Sequence, residues 1–187
     1  MKDDPVKDHP PIWGKDGRQI LFKERYPVVL RTYDKWKDLN PLLEKYIRQQ
    51  GDRIKHRSNV KAQMTEWNMQ TEAGGEHFQK LVDWVREISL EISPVQFIPD
   101  CYDVWGAVYK KGDYTIKHNH YPFVWSFIYY VDVDPDQSPI VFEDNKVVYP
   151  KPGQLLMFDA TLDHDVPPVT NPRTLVALNF ITLPPSS

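Results

Sequence analysis

Hydrophobic residues recur at helical spacing in two places within the first hundred positions. Asn40 and Pro41 precede one apolar pattern and Gly51 follows it. These residue types suit an N-cap, a first helical position and a left-handed helix stop. Over residues 76–92, apolar side chains lie three and four positions apart, which predicts a helix with one buried face. That face contains Phe78, Leu81, Val82, Val85, Ile88 and Ile92.

The segment between the two predicted helices is less regular. Residues 53–61 are polar and basic, which predicts a loop. Residues 63–70 allow a strand, and the Gly74-Gly75 pair marks a turn into the second helix. Taken together, residues 1–100 are expected to form a helical flanking part with short strands.

From about residue 103 the pattern changes to period two with many β-branched and aromatic residues, which is typical of strands. The strand candidates span residues 104–109, 114–120, 123–131, 140–143, 146–149, 154–158, 164–169 and 174–183. Asp144-Asn145 predicts a hairpin turn. This succession of short strands predicts an α+β, mainly β fold: a double-stranded β-helix (jelly-roll) core over residues 101–187 with flanking N-terminal helices, in a single domain over 1–187.

Composition narrows the class of protein. The 187 residues are 41% hydrophobic and 26% charged, as in ordinary folded proteins. The single cysteine, Cys101, excludes an intramolecular disulfide framework and a Cys-rich zinc module. A formal net charge of −3 predicts no nucleic-acid partner. Because no apolar run suits a signal peptide or a membrane span, we expect a cytoplasmic protein with no membrane partner.

Three of the six histidines are spaced so that they could share one metal ion. His118 and His120 lie two positions apart, so a continuous strand would direct both imidazoles to one side. His164 begins another predicted strand, which can be a neighbour in a double-sheet barrel. Three imidazoles on one face suit Fe(II), and other divalent metals less selectively. The remaining histidines are interpreted as surface or structural residues: His9, His56 and His77.

Arg173 follows His164 by nine residues and begins an apolar strand. Such an arginine either lies in solvent at the strand end or pairs with an anion inside the barrel mouth, where a guanidinium can bind a carboxylate through two hydrogen bonds. The sequence leaves both alternatives open. Period two places Asn179 on the same face as Arg173, and a buried Asn179 needs polar partners.

The order and spacing of these residues resemble the 2-oxoglutarate/Fe(II)-dependent oxygenases. The match covers residues 103–183 through the segments 109–120, 125–131 and 152–158, followed by His164 and Arg173. It is closest to small oxygenases common in phage and bacterial genomes, with a more distant likeness to prolyl hydroxylases. The resemblance implies a dioxygenase that uses Fe(II), 2-oxoglutarate and O2, releases succinate and CO2, and hydroxylates a small-molecule or peptide substrate, for example a proline side chain.

The resemblance also implies roles for individual residues. His118 and His164 match two iron ligands, and Arg173 matches the basic residue that pairs with the distal carboxylate of 2-oxoglutarate. Tyr130 matches a hydroxyl that hydrogen-bonds the same carboxylate. The other expected cofactor-binding residues are Ser126, Ile128, Tyr109 and Asn179. Trp105 and Trp125 are expected on the substrate side.

The sequence departs from the family pattern at one iron ligand. The usual triad has an aspartate or glutamate where this chain has His120. The spacing from His118 favours His120 as the third ligand, which leaves the metal with one more net positive charge. A nearby acid is the alternative source of a carboxylate: Asp113, Asp163 or Asp165.

Two other functions fit part of the sequence. Gly112 followed by His118 and His120 also matches the opening of a cupin motif, which suggests a metalloprotein that does not use 2-oxoglutarate. The glutamate that a cupin requires is missing from residues 121–125. A non-catalytic binding module on the same fold is the second alternative, and it would follow if His120 marks the loss of metal affinity.

Overall fold

The computed structural model describes residues 19–20, 28–92, 98–135 and 138–183. Within these ranges lie two α-helices, α1 (Trp36–Gln50) and α2 (Gly75–Ile92), and short 3-10 turns at Met69–Thr71 and Glu143–Asn145. The strands are β1 (Gln19–Ile20), β2 (Val28–Thr32), β3 (Val60–Lys61), β4 (Gln63–Met64), β5 (Ile98–Tyr109), β6 (Tyr114–His118), β7 (Trp125–Asp132), β8 (Ile140–Phe142), β9 (Lys146–Val148), β10 (Gln154–Asp159), β11 (His164–Val166) and β12 (Arg173–Leu183).

The strands form two antiparallel sheets that share a core. The seven-stranded sheet has the order β1-β2-β10-β7-β12-β5-β4, and the five-stranded sheet has the order β3-β6-β11-β8-β9. Buried residues from both sheets pack together between them. This arrangement confirms the predicted double-stranded β-helix core with flanking helices.

The seven-stranded sheet separates two hydrophobic cores. Its outer face packs against α1 and α2, and its inner face packs against the five-stranded sheet. Alternation along β7 sends Tyr129 to the helix side and Tyr130 to the space between the sheets. The same alternation along β12 separates Val176 from Leu175. The inner face is therefore the one that can carry a site inside the barrel.

The two predicted helices are present, but the start of α1 differs from the prediction. α2 buries the whole predicted apolar face, and Gly51 follows α1 with a positive φ of 72°. The prediction that Asn40 is the N-cap is wrong, because α1 begins at Trp36. Asn40 is buried inside the helix, where its side chain donates to the Val131 carbonyl (2.5 Å) and accepts from the Tyr129 hydroxyl (2.7 Å).

Neither helix in the described part of the chain combines the length and apolar character needed to cross a lipid bilayer.

Several strand boundaries also differ from the prediction. β5 begins at Ile98 and is longer than expected, whereas β6 ends at His118 instead of continuing to His120. Of residues 63–70, only Gln63–Met64 form a strand. The sequence analysis missed β2, which pairs with β10 in the seven-stranded sheet. The expected hairpin turn between β8 and β9 is present, with Asn145 at a φ of 57°.

Candidate metal centre

The three predicted histidines lie together at one end of the barrel interior. His118 and His164 are direct partners across β6 and β11. His120 lies in the turn after β6, where its backbone N–H donates to the Ala160 carbonyl (2.6 Å). One nitrogen from each imidazole can be chosen so that all three lie within 4.8 Å of one another. We call His118, His120 and His164 the histidine cluster.

Two rings of the histidine cluster are oriented by backbone carbonyls. Nδ1 of His118 lies 2.7 Å from the Ile116 carbonyl oxygen, and Nδ1 of His164 lies 3.0 Å from that of Leu162. Because a carbonyl oxygen only accepts hydrogen bonds, each Nδ1 must carry the proton. The Nε2 lone pair of both rings is therefore free to bind a metal ion.

Burial keeps the histidine cluster uncharged. Burial, together with the neighbouring His164 and His118, lowers the pKa of His120 to about 2. Burial and the charge of His118 similarly lower the pKa of His164 to about 4. The pKa of His118 is also lowered, mainly by burial. All three imidazoles are thus neutral at neutral pH, as metal binding requires.

The histidine cluster contains no carboxylate among the residues that the structure describes. Asp113 accepts a hydrogen bond from a backbone N–H in the turn after β5 (2.8 Å), and Asp163 accepts one from the Asn119 side chain (2.9 Å). Asp165 lies between two buried positions of β11 and is itself only partly buried. It is therefore His120 that lies beside the other two histidines at the third position.

A narrow inner cavity runs from the histidine cluster to Arg173. It brings together several residues that the sequence analysis proposed for the cofactor pocket. They are Tyr109, Ser126, Ile128, Arg173 and Asn179. Trp105, proposed for the substrate side, also lines this cavity.

Arg173 is buried at the far end of the inner cavity, with 1% of its surface exposed. Its Nη1 donates to the Ser138 carbonyl (2.8 Å), and its Cζ lies 4.5 Å from the Tyr109 ring centroid and 5.8 Å from that of Tyr130. Its Nε has no hydrogen-bond partner. Among the described residues, no carboxylate forms an ion pair with this guanidinium. A buried guanidinium without a counter-charge costs free energy, and an anionic ligand would offset that cost.

Tyr130 supplies a second unused polar group beside Arg173. Its hydroxyl is buried and has no hydrogen-bond partner. Burial raises the pKa of Tyr130 to about 12, so the hydroxyl remains protonated and can donate. By contrast, the Tyr109 hydroxyl already shares a hydrogen bond with the Thr115 hydroxyl (2.6 Å).

Asn179 and Ser126 bind each other instead of remaining free. The Ser126 hydroxyl donates to Asn179 Oδ1 (2.7 Å), and the Asn179 side-chain nitrogen lies 3.4 Å from Nδ1 of His120. The Asn179 backbone N–H donates to Asp103 (3.1 Å). The polar partners expected for a buried Asn179 are therefore present, and they connect it to the histidine cluster.

The two tryptophans proposed for the substrate side differ. Trp105 lies with its ring centroid 6.3 Å from that of His120, and its buried Nε1 has no partner. Trp125 lies on the opposite face of the sheet, where it packs against the helix-side core. The structure therefore does not bring Trp125 to either cavity, because alternation along β7 directs its side chain away from the barrel interior.

An outer cavity of about 200 Å³, which was not predicted from the sequence, also borders His118 and His120. Trp67, Asp103 and Phe123 line it together with Trp105. Asp103 could have been found from the sequence, since it is in period-two phase with Trp105 on β5. Trp67 and Phe123 fall within the strands expected at 63–70 and 123–131, but the structure places both in loops, where strand alternation does not determine their direction.

The remaining histidines do not join the cluster. His77 stacks on Tyr46 with ring centroids 5.6 Å apart, and His56 is exposed. His9 lies outside the described residues.

Comparison with known proteins gives structural similarity without close sequence similarity. No protein-family model matches the sequence, and no curated protein matches it. A viral collagen prolyl hydroxylase from Paramecium bursaria Chlorella virus-1, solved as a 2OG complex, is 17% identical over 81% of this chain and 94% of that chain, with a TM-score of 0.63. A Trichoplax adhaerens prolyl hydroxylase, in complex with a hypoxia inducible factor peptide fragment, is 18% identical over 82% and 83%, with a TM-score of 0.62.

A third similar structure is an oxidoreductase of the 2OG-Fe(II) oxygenase family from Burkholderia pseudomallei. It is 11% identical over 82% of this chain and 84% of that chain, with a TM-score of 0.65. At these identities the similarity concerns the fold. The chain has the double-stranded β-helix fold found in the 2-oxoglutarate/Fe(II) oxygenases, including prolyl hydroxylases.

Proposed function

We propose that this protein is a 2-oxoglutarate- and Fe(II)-dependent dioxygenase that hydroxylates its substrate. One observation carries the proposal. The inner cavity joins a cluster of three neutral imidazoles to a buried guanidinium with an unused Nε–H, and Tyr130, whose buried hydroxyl has no partner, lies beside that guanidinium. Such a cavity suits a metal ion at one end and a dianionic ligand that reaches to the other.

In this proposal, His118, His120 and His164 hold the iron. Their burial keeps the imidazoles neutral, and the contacts of Nδ1 with backbone carbonyls leave Nε2 of His118 and His164 free, so that these atoms would hold the metal. With three protein ligands, Fe(II) would keep further coordination positions for other molecules. When bound, Fe(II) and 2-oxoglutarate activate O2, with conversion of 2-oxoglutarate to succinate and CO2.

Arg173 and Tyr130 bind the distal carboxylate of 2-oxoglutarate. The Arg173 guanidinium supplies the positive charge and an unused Nε–H, and the protonated Tyr130 hydroxyl supplies a further donor. Hydrogen bonds in which one partner is charged are stronger than those between two neutral groups, particularly where water is excluded. Apolar side chains such as Leu175 and Ile128 line the same cavity and exclude water from the reaction.

The substrate approaches from the outer cavity and is a peptide or a small molecule. The outer cavity is in contact with His118 and His120 and is the wider of the two cavities. The Trichoplax structure contains a bound peptide fragment, which supports a peptide side chain as one candidate substrate.

Succinate release tests this function. With Fe(II), 2-oxoglutarate and O2, the wild-type protein is expected to release succinate even without substrate, at a low uncoupled rate. His164→Ala and Arg173→Ala should abolish the release, and His56→Ala, which changes an exposed histidine, should preserve it. Metal binding with no response to 2-oxoglutarate would favour a cupin-like metalloprotein. A protein that binds no metal would be a non-catalytic module.

A further inference from the structure

The inner face of the seven-stranded sheet carries two buried charges of opposite sign. Along the antiparallel pair β5 and β12, Arg173 is opposite Tyr109, and Asn179 is opposite Asp103. The six residue-to-residue steps from Arg173 to Asn179 span about 20 Å at the usual rise of a strand. His118 and His120 line both cavities, the inner one together with Arg173 and the outer one together with Asp103.

Asp103, like Arg173, has no side chain of opposite charge paired with it among the described residues. It has 9% of its surface exposed, and the hydrogen bonds to its carboxylate come from Asn179. No cationic side chain among the described residues contacts it. Burial raises the pKa of Asp103 to about 6, an effect that the Asn179 hydrogen bonds only partly offset. A buried carboxylate without a counter-charge costs free energy, so a cationic ligand beside Asp103 would stabilise it.

The walls of the outer cavity also suit a cation. Trp67 and Trp105 meet edge to face with ring centroids 5.0 Å apart, and Phe123 completes the aromatic lining. Aromatic faces attract ammonium and guanidinium groups, and tryptophan does so most strongly. Apart from the histidines, Asp103 is the one ionisable side chain among the residues that line this cavity.

Trp105 gives an independent sign that a ligand belongs here. It lines both cavities, is 4% exposed and has a buried Nε1–H with no partner. A buried donor of this kind is rare without a partner, and an acceptor on the ligand, such as a carbonyl oxygen, would supply one, since an ammonium group only donates.

We infer that the substrate carries a positively charged nitrogen, as a lysine side chain or a free amine does, and that Asp103 and the face of Trp67 bind this group in the outer cavity. The inference rests on the proposed function, since it names the substrate class of the same site. It gives the site two ligands of opposite charge, with the anionic cosubstrate at Arg173 and the cationic substrate at Asp103. A neutral proline side chain is then not the preferred substrate.

A binding experiment without turnover tests the inference. Protein loaded with Zn(II) and 2-oxoglutarate is titrated by calorimetry with Nα-acetyl-lysine methylamide and with Nα-acetyl-norleucine methylamide, which lacks the ammonium group. The lysine probe should bind about tenfold tighter or more. Asp103→Asn should reduce this preference to about twofold or less, and Trp67→Leu should weaken it. Glu66→Gln, which changes an exposed acid outside the cavity, should leave the preference intact.

Equal binding of the two probes by the wild-type protein would overturn the inference, as would a lysine preference that survives in both Asp103→Asn and Trp67→Leu. Trp67 is one-third exposed, so Trp67→Leu keeps the test decisive if Asp103→Asn does not fold. Zinc and 2-oxoglutarate affinities are measured in the same titrations, and probe selectivity is repeated with metal-free protein. Failure of the proposed function would appear as lost cosubstrate binding, and failure of this inference as lost selectivity.

Discussion

The two faces of the seven-stranded sheet treat polar side chains differently. On the helix side, the Tyr129 hydroxyl donates to Asn40 (2.7 Å), and Asn40 in turn donates to a backbone carbonyl. On the barrel side, the hydroxyl of the next residue, Tyr130, is buried with no partner, as are Nε of Arg173 and Nε1 of Trp105. The hydrogen bonds of Tyr129 and Asn40 on the first face complete the fold, whereas the three unpartnered groups on the second face are available to ligands.

The difference has a cost for the protein without ligand. A buried polar group without a partner costs about 1–3 kcal/mol, and a ligand that supplies the partner recovers this free energy. The unpartnered groups on the barrel side thus lower the stability of the ligand-free protein and favour ligand binding.

The largest effect is expected from the histidine cluster. His164 is 3% exposed and faces His118 across the strand pair. His164→Ala removes one of three ligands and should lower Zn(II) or Fe(II) affinity by about 100-fold or more. His77→Ala, a change on a histidine that stacks on Tyr46 at the helices, should leave metal affinity unchanged. Calorimetric titration measures both, and equal losses in the two variants would contradict the assignment.

His120 separates the three-histidine site from the usual family triad. His120→Asp introduces the carboxylate that the family pattern has at this position. We expect a change of at least several-fold in Fe(II) affinity, because the charge of the ligand set changes by one unit. Unchanged affinity and unchanged succinate release would mean that His120 is not a ligand.

The pH dependence of stability is the next effect in size. The metal-free folded state holds the pKa of His164 at about 4, below the ordinary value of 6.5. Between these values the unfolded chain binds more protons, so the free energy of unfolding falls as the pH falls below about 6.5. From pH 7 to pH 5 the loss is about 2 kcal/mol for His164 alone.

Urea unfolding at several pH values measures this loss. Asp103 has the opposite effect on the free energy of unfolding. Its pKa in the folded state, about 6, lies above the ordinary 3.8, so the folded protein loses the contribution of Asp103 to stability as the pH rises. The comparison is therefore made in an Asp103→Asn background, with and without His164→Gln. The same pH slope in both proteins would show that His164 is not held neutral by burial.

The adjacent tyrosines on β7 give the smallest and most selective effect. Tyr130→Phe removes a hydroxyl with no protein partner, so it should cost little stability and weaken 2-oxoglutarate binding about tenfold. Tyr129→Phe leaves Asn40 without a donor, so it should destabilise the fold by about 1 kcal/mol and leave 2-oxoglutarate binding unchanged. Thermal unfolding and cosubstrate titration of both variants check the prediction. Similar effects on both quantities would remove the distinction between the two faces.

Strand alternation explains why much of the architecture was predictable from the sequence. The period-two pattern of β12 correctly placed Arg173 and Asn179 on one face, and the helical pattern of α2 gave its buried side. Asn40 was misread because its residue type suits an N-cap, whereas its partners are Val131 and Tyr129, about 90 positions away. Such tertiary hydrogen bonds leave no local pattern.

The residues of the site were predictable from the sequence, whereas the way the backbone positions them was not. The sequence analysis expected His120 to follow His118 on a continuous strand, but β6 ends at His118 and a turn bonded to Ala160 brings the ring into place. The outer cavity was not predictable from the sequence, because Trp67 and Phe123 lie in two separate loops that come together only in the folded protein.

The anaerobic visible spectrum tests the central claim most directly. When Fe(II) is bound by the histidine cluster and 2-oxoglutarate is added without O2, we predict a metal-to-ligand charge-transfer band that saturates with 2-oxoglutarate. Arg173→Ala should shift the saturation to at least about tenfold higher 2-oxoglutarate, since it removes the buried positive charge. An Fe(II)-loaded wild-type protein that shows no band at any 2-oxoglutarate concentration would contradict the account.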